Sequence, residues 1–175
     1  MIWRLSNRFD PVACEIADRH YNRRKIGSPQ FVPPGRNVVL LAPGALWVTS
    51  WPFAEYVRHA WPGAWVNSLF RNEAPDLYLS SDLIRQAVAA TRAVFGWPPE
   101  LGMVTFVNRD KVRTKRDPGR CYLRAGFEGA GHTKGGLVAL QLLPGLMPPA
   151  EWPIGYSENC DLFTSITHGA AKSVR

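Results

Sequence analysis

The chain has 175 residues, of which 46% are hydrophobic and 20% are charged, a composition typical of one globular domain. It excludes a disordered chain, a collagen and a coiled coil, and no apolar run is long enough to cross a bilayer. The net charge is +7, the N-terminus has no apolar leader and the three cysteines are widely spaced, so we expect a cytoplasmic protein without a disulfide framework.

The first predicted helix begins at Asp10, a favoured N-cap residue that is followed by proline at the first helical position. Apolar residues at helical spacing extend this helix to about Tyr21. The next segment, residues 25–37, is rich in Gly and Pro and is predicted to be a loop. Residues 37–41 and 46–51 then read as two paired strands around a turn at residues 42–45.

The second half of the chain alternates between strands and helices. Residues 53–63 fit either a loop or a short helix, and residues 64–70 read as a strand. The clearest helix follows, with Ser80 or Ser81 as its N-cap and Gly96 at its end. A strand at 103–107, a short helix at 121–125 and a strand pair at 127–133 and 137–143 complete the pattern.

This order predicts an α/β (α+β) fold, a single domain in which helices flank a mixed central β-sheet. We place this domain at residues 1–143. Residues 144–175 lose periodicity and are rich in Pro and Gly, so we expect an extension that either wraps the domain or is partly disordered.

The positive charge is concentrated in two short segments, 19–25 and 109–124, which hold 11 of the 21 Lys and Arg residues. Such clustering indicates a polyanionic partner, most simply nucleic acid, although a solvated basic surface is the alternative. The predicted phosphate contacts are Arg23, Arg24, Lys25, Arg109, Lys111, Arg113, Lys115, Arg116 and Arg120.

A short helix that carries Tyr122 and ends at Gly126-Phe127 is predicted within residues 119–127, which read GRCYLRAGF. This segment and the element order resemble the GCN5-related N-acetyltransferases (GNATs). In that family a glycine-containing loop before the long helix holds the pyrophosphate of acetyl-CoA. The corresponding residues 70–81 contain no glycine, which disfavours acetyl-CoA as the donor.

Four segments in the same order support a narrower resemblance: RHY at 19–21, WVNSLFRNE at 65–73, SDLI at 81–84 and GRCYLRAGF at 119–127. Together they resemble the Mom-type phage DNA-modification proteins, GNAT-like proteins that convert adenine in DNA to N6-carbamoylmethyladenine. The resemblance covers residues 15–142. It implies a phage transferase that acts on double-stranded DNA with a flipped adenine and protects phage DNA from host restriction.

The resemblance leaves two points open. The donor of the transferred group is either an acyl-CoA or a glycine-derived molecule, and the oligomeric state is not indicated. A conventional acyl-CoA-dependent N-acetyltransferase and a non-catalytic DNA-binding module of the same fold are the alternative functions.

The family pattern implies a functional role for His20 and Tyr21, in catalysis and as iron ligands. The alternative is that His20 continues the apolar face of its helix. Tyr122 is expected to act as an acid beside the transferred group, or else to be a core aromatic. An acidic partner is expected as well, and the choice between Asp110 and Asp117 is open. Asp117 is placed in the catalytic set, with a turn before Pro118-Gly119 as its alternative role.

A polar run follows the strand predicted at 64–70, and its residues are expected to face the cleft where donor and acceptor meet. A salt bridge between Arg71 and Glu73 is the alternative for two of them. The predicted substrate- or cofactor-binding residues are Asn67, Arg71, Asn72, Glu73 and Ser81.

Overall fold

A seven-stranded sheet forms the centre of the protein in the computed structural model, which describes residues 1–57, 59–112 and 117–156. In space the strands follow the order β1-β2-β3-β4-β5-β7-β6, and β4 and β5 form the parallel pair of an otherwise antiparallel sheet. The strands are β1 (Arg4–Ser6), β2 (Arg36–Ala42), β3 (Ala45–Trp51), β4 (Trp65–Asn72), β5 (Met103–Val107), β6 (Glu128–His132) and β7 (Val138–Leu142).

Helices cover both faces of this sheet: α1 (Pro11–Asp18), α2 (Ser80–Phe95) and the short α3 (Arg120–Arg124). Side chains alternate between the faces of a strand, so neighbouring residues of β2 enter different cores. Val38 and Leu40 pack with α2, whereas Val39 and Leu41 pack with α1. The expected class, a mixed sheet flanked by helices in one α+β arrangement, is confirmed.

Two predicted helix boundaries are wrong. Helix α1 begins as expected, with the Asp10 carboxylate accepting from the backbone amides of Val12 and Ala13, but it ends at Asp18 instead of Tyr21. The N-cap of α2 is Leu79, so neither Ser80 nor Ser81 caps it. The Ser80 hydroxyl oxygen instead accepts a hydrogen bond from the Asn72 side chain.

The segment after β7 is packed against the domain as far as residue 156. The Arg92 guanidinium on α2 donates to the carbonyls of Met147 and Pro148, at 3.1 and 2.6 Å. The Ile154 amide donates to the Trp3 carbonyl at 2.8 Å. The predicted boundary at 143 therefore separates β7 from a segment that packs against α2 and β1, and the rest of the predicted extension lies outside the described residues.

Within the described ranges, no helix has the length and apolar character needed to span a membrane.

Candidate functional site

The parallel strands β4 and β5 separate beyond their third paired position, and a cleft opens between them. Their ladder runs from Trp65 opposite Met103 to Asn67 opposite Thr105, after which β4 continues to Asn72. The cleft has a volume of about 760 Å³. Crevices at the carboxyl ends of parallel strands are the usual ligand sites of sheets covered by helices. This geometry makes the cleft the candidate site.

A β-bulge in β4 shapes one wall of the cleft. Val48 of β3 lies opposite Leu69, whereas Thr49 lies opposite Asn67, so Ser68 is an extra residue in the ladder. The Asn67 side-chain amide nitrogen donates to the carbonyls of Val48 and Leu69, at 2.9 and 3.0 Å. Asn67 thereby satisfies backbone acceptors at the irregular point of the sheet.

Tyr122 of α3 faces the same asparagine from the other side. Its hydroxyl donates to Asn67 Oδ1 at 2.6 Å, and its side chain is only 8% exposed. The Thr105 hydroxyl lies 3.2 Å from the Asn67 carbonyl oxygen and 3.3 Å from Oδ1. Burial raises the pKa of Tyr122 well above its ordinary value, so the side chain is a neutral phenol at pH 7.

His20 and Tyr21 lie on the turn after α1 and form a second wall. Their rings stack with centroids 4.4 Å apart. The His20 Nδ1 accepts from the Asn22 amide at 3.2 Å, and the ring also hydrogen-bonds the Phe70 carbonyl. Burial, and after it the charge of Arg71, lowers the pKa of His20 to about 4. The imidazole is therefore neutral at pH 7, and both of its nitrogens have protein partners.

The iron expected at this pair does not fit the arrangement of the described residues. A metal would need the lone pair of His20 that the Asn22 amide occupies. No group of three His, Cys, Asp or Glu side chains suited to a metal occurs in residues 1–57, 59–112 and 117–156. We therefore assign no step to iron.

Glu73 is held between two arginines just beyond β4. Its carboxylate accepts from Arg19 at 2.7 and 2.8 Å and from Arg71 at 2.6 Å. The hydrogen bonds from Arg19 are the main reason that the pKa of Glu73 falls from 4.5 to about 2. An ionised and fully paired carboxylate is a weak base, so the salt-bridge alternative describes Glu73.

Asn72 lines the cleft, and its side chain also organises the connection to α2. Its side-chain nitrogen donates to the Tyr78 carbonyl at 2.9 Å and to the Ser80 hydroxyl at 3.1 Å, and its Oδ1 accepts from the Ala74 amide. The Glu73 amide is also used, because it donates to the Gly44 carbonyl. The amides of Glu73 and Ala74 are therefore bound within the protein and are not free to hold a pyrophosphate.

The first turn of α2 lines the cleft through Ser80 and Ser81, and no side chain caps it. Backbone N–H groups at a helix start attract anions. Five cations line the same cleft: Arg19 and Arg71, which hold Glu73, and Lys111, Arg120 and Arg124. Positive charge therefore surrounds this end of the cleft.

The other predicted basic contacts divide into three groups. Arg24, Lys25 and Arg109 are exposed outside the cleft. Arg23 was expected to contact phosphate, and this is wrong. Its side chain is 8% exposed and binds Asp18 and the carbonyls of Ser28 and Gln30. The remaining three, Arg113, Lys115 and Arg116, lie outside the described residues.

Of the two candidate carboxylates, Asp117 lines the cleft, whereas Asp110 lies in a short 3-10 turn outside its lining. The Asp117 carboxylate is 56% exposed and lies 3.7 Å from an Arg120 nitrogen. An ionised oxygen with one distant, exposed partner can still accept a proton from a bound substrate.

Sequence reasoning missed the contributions of Thr105 and Ser68 to this site. Thr105 is buried and hydrogen-bonds Asn67, and Ser68 is the extra residue of the bulge. The available signal was the polar pair Asn67-Ser68 inside an otherwise apolar strand, because polar residues in a buried strand need partners.

Comparison with known proteins finds no matching family model, no similar curated protein and no similar solved structure. The function therefore has to be argued from the cleft and from the sequence motifs.

Proposed function

We propose that the protein is a GNAT-like, Mom-type transferase that modifies the N6 amine of adenine in double-stranded DNA. In this proposal it is encoded by a phage, acts in the cytoplasm of the host cell and protects phage DNA from restriction. The observation that carries the proposal is the cleft between β4 and β5, where Tyr122, Asn67 and Asp117 lie together within a basic surround.

The charge around the cleft supports a DNA substrate. Lys111, Arg120 and Arg124 line it, and Arg24 and Lys25 are exposed on the loop that follows Tyr21. Cations of this kind bind phosphates and orient a duplex without reading its sequence. A base that is rotated out of the stack could then enter the cleft, which is how enzymes gain access to an amine hidden inside a duplex.

The polar groups of the cleft support chemistry at an amine. The adenine N6 lone pair is delocalised into the ring, so the nitrogen must lose a proton as it forms a new bond. In our proposal N6 attacks an electrophilic carbon of the donor, and a carbon–nitrogen bond forms. The leaving group departs with its electron pair while the Asp117 carboxylate accepts the N6 proton.

His20 and Tyr21 take a different place from the one the family pattern implies. With a pKa of about 4 and both nitrogens bonded, His20 is a poor base at pH 7. We assign the stacked pair to the wall against which the base lies. The donor class, acyl or glycine-derived, is identified by the mass of the product.

Nucleoside mass spectrometry of plasmid DNA from expressing cells tests the proposal. Wild-type protein should produce a deoxyadenosine of increased mass, and Asp117→Asn should lower its yield about 100-fold, the scale of a lost general base. Tyr78→Phe, which removes a hydroxyl outside the cleft lining, is the matched control and should retain full yield.

Unmodified DNA from cells that contain folded wild-type protein would overturn the proposal. Thermal stabilisation by coenzyme A would then favour the N-acetyltransferase alternative. Salt-sensitive DNA binding without modification would favour the non-catalytic module.

A further inference from the structure

We infer that Tyr122 meets the substrate amine as a hydrogen-bond acceptor. Asn67 is the positioning residue that fixes this direction, because it takes the only proton of the Tyr122 hydroxyl. The inference rests on the proposed function and specifies the substrate class of the same cleft: ligands that present an N–H group to Tyr122. It also replaces the acid role expected for Tyr122 from the family pattern.

The first step is the orientation of the Asn67 side chain. One of its two terminal atoms lies 2.9 Å from the Val48 carbonyl oxygen and 3.0 Å from the Leu69 carbonyl oxygen. Carbonyl oxygens only accept, so that atom must be the amide nitrogen. The bulge in β4 therefore turns Oδ1, the acceptor, toward Tyr122.

The second step concerns the single proton of the Tyr122 hydroxyl. An amide oxygen has no proton to give, so at 2.6 Å the hydroxyl must donate to Asn67 Oδ1. Ionisation does not change this assignment, because burial keeps the phenol protonated. The Thr105 hydroxyl also hydrogen-bonds Tyr122, so what Tyr122 can still offer to the cleft is a remaining lone pair on its oxygen.

The third step concerns the ligand. Adenine N6 carries two N–H donors, and one of them can point at the Tyr122 oxygen. Hypoxanthine has a carbonyl oxygen at the same ring position, which would face lone pairs without a proton between them. Unsubstituted purine has only a C–H there. As an acceptor, Tyr122 thus favours adenine over both analogues. Purine offers it no donor, and hypoxanthine presents an acceptor that would be left without a donor, which is costly.

The acceptor role of Tyr122 also affects the reaction. To protonate a leaving group, Tyr122 would first have to give up its bond to Asn67. As an acceptor it keeps that bond and holds one N6 proton while the other is removed. Tyr122 is then a residue that orients the nucleophile.

Binding of duplexes that carry one central adenine, hypoxanthine or purine tests the substrate class. We expect wild-type protein to bind the adenine duplex about tenfold more tightly than the purine duplex, and the hypoxanthine duplex most weakly. Tyr122→Phe should bring adenine and purine to equal affinity. The control Tyr78→Phe should keep the wild-type order.

Asn67→Leu tests the positioning role, because it removes the acceptor and frees the Tyr122 proton. It should reverse the preference, so that hypoxanthine binds more tightly than purine. Loss of structure would change affinity for all three duplexes together. Asn67→Leu also leaves the Val48 and Leu69 carbonyls unpaired, so urea unfolding of this variant is measured beside its binding. A folded Asn67→Leu protein that keeps the wild-type order would contradict the positioning role.

Proton NMR of the DNA-free protein gives an independent readout. The Tyr122 hydroxyl proton should exchange slowly and show a nuclear Overhauser effect to the Asn67 side-chain amide. Rapid exchange, or equal adenine and purine affinity in the wild type, would overturn the inference while leaving DNA modification intact. Failure of wild-type protein to bind any duplex would overturn both.

Discussion

Arg19, the C-cap residue that follows α1, makes two parallel hydrogen bonds to Glu73, the residue that follows β4, at 2.7 and 2.8 Å. Arg71 holds the same carboxylate from within β4. This cluster joins the turn that carries His20 to one wall of the cleft. It is therefore a support for the site, and its removal should be measurable as stability.

Glu73→Gln should destabilise the protein at pH 7 by about 1–2 kcal/mol after solvent screening of the partly exposed arginines. A lowered carboxyl pKa contributes stability above the unfolded value near 4.5 and loses it as the pH falls to about 2. Urea unfolding at several pH values should thus show the two proteins converging across that range. Glu128→Gln, an exposed carboxylate of β6, is the control. A constant difference at all pH values would contradict the assignment.

His20 should titrate near pH 4 instead of near 6.5. Because folding lowers its pKa, protonation favours the unfolded chain, so stability is highest above pH 6.5 and falls by about 3 kcal/mol between pH 6.5 and 4. The His20 Hε1 resonance in proton NMR measures the midpoint directly. His20→Gln should remove this part of the pH dependence. A midpoint near 6.5 would mean that the ring is solvated.

Variants in the loop after Tyr21 should distinguish the residues that contact DNA from the residue that stabilises the fold. Replacing Arg24 and Lys25 together by Gln should reduce the slope of log affinity against log salt by about 2, one unit per lost phosphate contact. Arg23→Gln should instead lower the melting temperature, because Arg23 binds Asp18 and two loop carbonyls. Lys134→Gln, a cation outside both basic segments, should change neither quantity.

Arg92→Gln should loosen the segment after β7. The guanidinium donates to two carbonyls of that segment, and their loss is expected to cost about 1–2 kcal/mol. Limited proteolysis should then cut near residue 148 faster than in the wild type. Arg124→Gln, an arginine of α3, is the matched control. Equal cleavage rates in all three proteins would show that the contacts of Met147, Glu151 and Ile154 hold the segment without Arg92.

Local signals in the sequence were sufficient for most of the framework. Asp10-Pro11 predicted the start of α1, and Gly96 predicted the end of α2, because caps act through neighbouring backbone atoms. The end of α1 was not predictable in this way. Its apolar spacing continues to His20, but Arg19 bonds a carboxylate 54 residues away. Strand β1 was missed because it has three residues and depends on β2 for pairing.

The candidate site was predictable as a set of residues but not as an arrangement. Asn67 and Tyr122 were both named from motifs, yet their hydrogen bond spans 55 residues. The role of Asn67 depends on a bulge whose other half is Val48 in β3. Asn72 and Glu73 lie next to each other in the same motif, and only their three-dimensional partners reveal that they bind the protein itself.

The contact between Ile154 and β1 bears on how copies of this protein behave toward one another. β1 is one edge of the sheet, and open edges recruit strands from other molecules. Ile154 runs parallel to Arg4 and donates to the Trp3 carbonyl, so it occupies part of that edge. A chain shortened to residue 143 would lose this cover together with the buried Met147. Such a chain should aggregate at concentrations where the longer one stays dispersed.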